Sequence, residues 1–357
     1  MVGSRTRSPP PLLGKWISRS HLLRCCARSR KVRTGICFPA QRRSALKTKP
    51  RIGDQTPVME TVPPELVQSR IEYFLPHCWE AVKSMSQRTS VTLLLILTAA
   101  VALIFLLLPR IPQPEAYHLF ADRRSLLGIS NFGDVASNLP FAVIGMWGLI
   151  FLLRPDSNQV NGSFRRGERW PYVFVFVGLL LTAFGSSYYH LSPNNSRLVW
   201  DRLPMTIAFM SMVAAIIAER ISLRVGLWLL PILILLGMGS VVQWYASEMQ
   251  GSGDLRFYAA VQVYSALVLL LALFLPQRYT RGSDLALVVG FYALAKALEA
   301  LDKPIFAVGH IVSGHTLKHL AGAAAGYCIL RMLQKRRPIP GPSRRCLQRL
   351  RSSPTRT

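Results

Sequence analysis

The sequence predicts an all-α, polytopic membrane protein with eight membrane-crossing helices. Three observations predict it. Six stretches carry no charged residue at all: 91–109, 135–153, 171–190, 203–218, 225–247 and 257–277. Most reach the roughly 20 residues that a helix needs to cross a hydrocarbon core of about 30 Å. Two further stretches are apolar apart from a few side chains: 285–301, with Lys296 and Glu299, and 310–333, with its histidines, Lys318 and Arg331. The charge lies outside these stretches. Residues 1–53 hold fourteen Lys/Arg and no acid, and residues 331–357 hold nine and no acid. The remaining 54–330 has twenty basic and seventeen acidic residues, a net of +3 out of the chain's +26.

That distribution excludes nucleic-acid binding, which needs a basic patch on a folded surface. The chain is 50% hydrophobic, enough for two soluble domains, but the segregated apolar runs rule that reading out. The six cysteines are Cys25, Cys26, Cys37, Cys78, Cys328 and Cys346, with no C-x-x-C pair and four of them in the tails, so no disulfide framework is expected. Cys328, inside the last span, reads as packing.

In chain order, residues 1–53 are rich in Arg and Ser and lack an apolar core. That is the composition of a plastid or mitochondrial transit peptide. A basic cytosolic tail on an ER or Golgi membrane is the alternative. Residues 54–116 are a linker, with a short surface helix over Glu65–Lys83, and an extra transmembrane helix over 91–109. This helix has no polar side chain beyond Thr92 and Thr98 and reads as an anchor, closed by Pro109 and Pro112. Residues 117–333 form the seven-span domain and 334–357 a second basic tail.

The segment before the second span holds Asn131, Asp134 and Asn138 at i, i+3 and i+7. On a helix they share one face. They make either an interior polar or cation site, or helix caps at Asn131 and Asp134 with Asn138 bonded to a neighbouring helix. Glu219-Arg220, Asp254-Arg256 and Asp302-Lys303 read as loop positions at the membrane boundary. Lys296 and Glu299, at i and i+3, read as a structural ion pair within the seventh span.

The residues that carry chemistry are two pairs at one-turn spacing, Ser186-x3-His190 and His315-x3-His319, with Asp201 eleven residues after His190. Helix parity places them. Counting eight spans, the third ends, and the second, fourth and eighth begin, on the face opposite the tails. Asn131, Asp134, Ser186, His190, Asp201, His315 and His319 therefore converge on one membrane face. Two imidazoles one turn apart can grip one metal ion, and His190 supplies a third ligand. Three histidines plus an open position is the pattern of catalytic zinc, which lowers the pKa of bound water toward 7. Asp201 then serves as general base and acid, and Ser186 donates to the developing oxyanion. The reaction class is hydrolysis of an amide or ester in a lipid-accessible cavity. A proton relay or a haem site built from the same histidines is the competing reading. His310 is expected on a different helical face.

The strings GSSYYHLSPNNSRLVWDRLPM (185–205) and SGHTLKHLAGA (313–323) resemble the signature of the CREST superfamily. That group holds the alkaline ceramidases, the adiponectin receptors and the GPI-anchor lipid-remodelling hydrolases. The eleven-residue spacing from His190 to Asp201 is similar to that of the alkaline ceramidases. The resemblance covers roughly 117–332. It implies a seven-helix CREST-type core with one additional N-terminal transmembrane helix. It also implies a Zn²⁺-dependent amidase cleaving ceramide or phytoceramide, with zinc on His190, His315 and His319 and with Ser186 and Asp201 catalytic. The expected partner is a ceramide-like membrane lipid, with no protein partner. Alkaline ceramidases also carry an acidic, tryptophan-containing Ca²⁺ cluster before the first core helix. Here that region reads ADRRSLLGISNFGDVASN, and Asn131 stands where a carboxylate belongs, so Ca²⁺ is not carried over. The alternatives are a lipid esterase of the GPI-remodelling type and a receptor-like zinc protein with little turnover.

Overall fold

Ten α-helices make up almost all the regular structure that a computed structural model describes, over residues 86–154, 164–165 and 167–339. The transit-like segment, the surface helix expected over 65–83, the tail beyond 339 and every cysteine but Cys328 lie outside the described residues. The helices are α1 (Gln87–Leu107), the short α2 (Phe132–Ala136), α3 (Leu139–Leu153), α4 (Arg169–Leu191) and α5 (Asn195–Ile216). They continue with α6 (Leu223–Met249), α7 (Arg256–Phe274), α8 (Leu285–Ala300), the short α9 (Asp302–Ala307) and α10 (Gly314–Lys335). Among the described residues the β-structure is two isolated bridges.

Six of the described helices are long and apolar enough to cross a membrane: α1, α2 with α3 taken as one, α4, α5 with the π-turn that follows it, α6 and α7. The other two sequence-predicted spans are helical as well. However, α8 has only 16 residues and α10 carries four ionisable side chains, His315, Lys318, His319 and Arg331, before its last residue. The surface agrees with a lipid environment. Leu95, Leu103 and Leu106 on α1 and Trp228, Leu235 and Leu236 on α6 are all more than half exposed. In water that would be an aggregating face.

Start signals in the sequence place the helices. Asn194 caps α5 by accepting from the Arg197 amide at 3.0 Å, and Ser313 caps α10 by accepting from the Thr316 amide at 3.0 Å. These caps correct two expectations. The fourth span opens at 195 rather than 203, so Asp201 lies in the second turn of α5 instead of at its rim. The eighth opens at 314, so His310 is not helical. It has a left-handed backbone (φ 53°) and meets Phe306 edge-on, with ring centroids 5.1 Å apart. The Asn131–Asp134–Asn138 cap is corrected too. Asn131 occupies the N-cap position of α2 in a left-handed conformation and makes no side-chain cap bond. Asn138 donates to the Asp134 carbonyl at 2.9 Å, within its own segment.

A small apolar cluster, of Phe120, Tyr189, Leu198, Val241, Trp244 and Tyr258, packs at the histidine end. The largest cluster lies toward the opposite end of the bundle, where Phe176 of α4, Met212 and Ile216 of α5 and Leu330 and Leu333 of α10 pack together. Cys328 packs against this core, partly buried. At that end a buried polar knot joins three elements. Glu219, in the π-turn after α5, accepts from Arg336 at 2.6 Å and Tyr172 at 2.9 Å, and lies 3.6 Å from Arg220. Glu168 accepts from Tyr279. Glu219 and Arg220 are therefore buried partners in a network, not loop markers. Asp254 and Arg256 do pair at the start of α7, and Arg256 also donates to the Leu108 carbonyl at 2.6 Å. α1 lies against α7, with Thr98 and Tyr264 hydroxyls 2.9 Å apart.

Candidate metal centre

At the other end, α4 and α5 touch backbone to backbone, for a reason written in two residues. Pro204 sits inside α5 and has no N–H, so the carbonyl four residues earlier, that of Trp200, loses its helical partner. Gly185 lies directly against this carbonyl. A Cβ at 185 would stand 2.8 Å from the Trp200 carbonyl carbon and closer still to its oxygen. The contact sets Ser186, the next residue, beside Asp201, and the two side chains line the same cavity. Gly185→Ala is expected to cost about 1–3 kcal/mol and to separate this pair. Thermal melting and lipid turnover of the variant measure both effects.

One turn beyond Ser186, His190 points into the bundle and meets the two histidines of α10. The three rings lie 4.9–5.0 Å apart, centroid to centroid. One nitrogen from each can be chosen so that all three lie within 4.8 Å of one another. All three residues are buried, His190 completely. The sequence-predicted ligand set is thus brought together by two helices separated by more than 120 residues.

The surroundings fit a metal ion. Both ring nitrogens of His190 and Nε2 of His315 are buried with no hydrogen-bond partner. An unsatisfied buried polar atom costs about 1–3 kcal/mol, and one ion between the rings would partner one nitrogen of His190 together with Nε2 of His315. His319 is oriented for the same role. The single hydroxyl proton of Ser137 goes to the Asp134 carbonyl at 3.1 Å. The Ser137 oxygen, 2.8 Å from His319 Nδ1, can therefore accept from it. With the proton on Nδ1, Nε2 would keep its lone pair for a ligand bond, the usual outer partnership of a metal-bound histidine. Ser137→Ala is expected to weaken metal binding about 10- to 100-fold, while Ser137→Thr, which keeps the hydroxyl, holds it. Competition with a chelator of known affinity checks both.

Further bonds fix the backbone around the rings. Asn131 donates to the His190 carbonyl at 2.7 Å. Asp302 accepts from the His315 amide at 2.8 Å and the Ala121 amide at 2.9 Å. Asp134 accepts from Thr316 at 2.8 Å. So Asn131 and Asp134 belong to the interior polar alternative, as supports of the histidine helices. Phe120 closes the centre, its ring 4.6 Å from that of His190 and 4.5 Å from that of His315. Its neighbour Asp122 is held below the usual carboxylate range by hydrogen bonds and charge from Arg124. This brace is intact at neutral pH and is lost only as pH falls through that lowered value.

A cavity of about 170 Å³ opens from the centre. Its polar head holds Ser186, Asp201, His319, Lys318, Glu299 and Tyr117, and its depth is lined by side chains such as Leu179, Met212, Leu269 and Ile329. From His319 to Ile329 is ten residues of helix, or ~15 Å. The cavity is therefore a slot with one polar end and one long apolar arm. Lys296 and Glu299 do pair at 2.9 Å, as the sequence suggests, but Lys318 joins them at 2.9 Å and the group forms part of the cavity wall.

Sequence reasoning missed several of these parts. Arg202, adjacent to Asp201, is buried in an aromatic box, 4.1 Å from the Trp244 ring and 4.7 Å from that of Tyr258. It donates to Gln113 at 2.7 Å, pinning the segment before Tyr117 over the cavity. A charge inside an apolar helix was its available signal. Ser137, Phe120 and Asp302 had no comparable one. No protein-family model matches the chain, and no curated protein matches it either.

Proposed function

We propose that the protein is an integral-membrane, metal-dependent hydrolase that cleaves a lipid amide, ceramide or phytoceramide, into a sphingoid base and a fatty acid. One observation carries the reading. Three buried histidines, with partnerless ring nitrogens on His190 and His315, meet where His319 joins the wall of a slot whose head also holds Ser186, Asp201, Lys318, Glu299 and Tyr117 and whose depth is apolar. A zinc-class ion on His190, His315 and His319 supplies Lewis acidity that brings the pKa of water to near 7.

The chain's own residues do the rest. The apolar arm takes the acyl chain and sets the amide at the head of the slot. Asp201, on the slot wall, accepts the proton of the attacking water on a carboxylate oxygen and returns it to the departing amine nitrogen. Ser186 stands beside Asp201 on the same wall and orients its carboxylate. It turns its hydroxyl to the carbonyl oxygen of the amide as negative charge develops there. Phe120 covers His190 and His315 and keeps bulk water from that side. The motif resemblance over 185–205 and 313–323 makes the amide a sphingolipid amide.

In this reading α8 and α10 cross the membrane as well, giving the seven-span core over 117–333 with α1 as the extra anchor. Both tails then lie on one side, in keeping with their shared positive charge, and the histidines on the other. Residues 1–53 direct the chain to a plastid or mitochondrial membrane, and imaging of residues 1–60 fused to a reporter tests the address. The activity is tested by mass-spectrometric profiling of a lipid panel incubated with purified protein. Release of free sphingoid base is the expected result. Release of lysophospholipid instead would make it an esterase, and bound metal without turnover would make it receptor-like.

A further inference from the structure

Phe120 has a second face. Outside it lies an open concavity of about 340 Å³, lined by Leu119, Phe120, Arg123, Lys303, Phe306 and His310 among others. Two fixed cations and an imidazole line it, and no carboxylate does. The nearest acids face other partners: Asp122 is taken by Arg124, and Asp302 by the amides of Ala121 and His315. Arg123 spends its Nε on the Phe120 carbonyl at 3.3 Å. The Nη amines of its guanidinium remain for a planar, multidentate acceptor, which a phosphate supplies.

The rim shows where that phosphate comes from. Leu127, Val308 and Ile311 are 85%, 82% and 79% exposed. They sit on two turns with left-handed backbone at Leu127, Gly128, Gly309 and His310. The turns are tied together by Arg124, which donates to the Ile311 carbonyl at 2.8 Å. Both turns belong to the segments that carry the chain to and from the histidine end. Highly exposed aliphatic tips near two cations and an imidazole match the membrane interface, where apolar side chains enter the acyl boundary and cations meet headgroups. A pocket for free phosphate in water gains nothing from such a rim.

We propose that this concavity is a binding site for the phosphate of an anionic phospholipid, held by Arg123, Lys303 and His310. Its occupant sits one aromatic ring away from the metal centre, since Phe120 touches both. An anionic leaflet can in this way bear on the ring that closes the histidines. The site does not depend on the hydrolytic reading. Metal content and turnover are measured on the same preparations, and either can fail without the other.

The test is native mass spectrometry of the full-length, detergent-purified protein, titrated with phosphatidylglycerol or with phosphatidylcholine of identical acyl chains. The wild type is expected to favour phosphatidylglycerol roughly tenfold. An Arg123→Gln/Lys303→Gln double variant is expected to lose the preference with its metal content and melting unchanged. An Arg123→Lys variant, with the charge but not the fork, is expected to fall between. Equal retention of the two lipids by the wild type would overturn the proposal, and so would an undiminished preference in the double variant. Displacement of phosphatidylglycerol by an equal concentration of inorganic phosphate would overturn the lipid source.

Discussion

His190→Ala protein is expected to emerge from purification helical but without a stoichiometric metal ion, and without amidase activity. His190 is completely buried, and neither ring nitrogen has a hydrogen-bond partner. Its removal therefore breaks no side-chain hydrogen bond, while the bond from Asn131 to its backbone carbonyl can persist. What is lost is one of three ligands. Disturbing a mere supporter of a ligand costs about 10- to 100-fold in affinity, and deleting the ligand costs more. Stability should report the same loss. An ion bound only by the native state at 100 times its Kd contributes about 2.7 kcal/mol. A chelator should therefore lower the melting temperature of the wild type and leave that of His190→Ala unmoved. Elemental analysis gives the stoichiometry directly. Full metal content in the variant, with an undiminished chelator shift, would remove the histidine cluster from consideration as a metal centre.

Asp201→Asn is expected to lose activity about 10²- to 10⁴-fold, the usual contribution of a positioned acid–base group, with metal content unchanged. The carboxamide has the shape of the carboxylate and can still accept a hydrogen bond from Ser186, so the α4–α5 contact persists. It cannot take up a proton from water. The combination is discriminating. Turnover within a few fold of the wild type would place proton transfer elsewhere, and parallel loss of metal and melting temperature would make Asp201 a structural residue. Ser186→Ala provides the intermediate case, since it removes the hydroxyl that holds Asp201 while leaving the carboxylate able to accept a proton.

The histidine pairs were readable because helical spacing is a local property. Residues four apart on a helix share a face whatever the helix packs against, so His315 and His319 had to be neighbours. Parity then led to the expectation that His190 would join them, and the three rings do meet in the bundle. The readings of Asn131 and Asp134 show where this logic stops. Their spacing allowed a cap or an interior contact, and only the approach of α4 and α10 made Asn131 a partner of the His190 carbonyl and Asp134 a partner of Thr316. His310 shows the same limit in the other direction. A continuous apolar run suggested a helix through it, but the Ser313 cap starts α10 later and leaves His310 on a turn.

Composition and periodicity by themselves pointed to an all-helical protein with a neutral body, basic ends and eight spans, and six of the described helices are long and apolar enough to span. They also determined which residue types could meet at one membrane face. The tertiary structure decided what lies between and behind them. It set the contact of Gly185 with the Trp200 carbonyl freed by Pro204, the contact of Ser137 with His319, and the burial of Arg202 among aromatic rings. It also placed Phe120 between the histidines and a cationic surface. The division has a physical cause. Hydrophobic segregation and helix periodicity are short-range and written along the chain. A site depends on orphaned groups finding partners across helices, and one missing Cβ or one missing N–H decides which helices can approach.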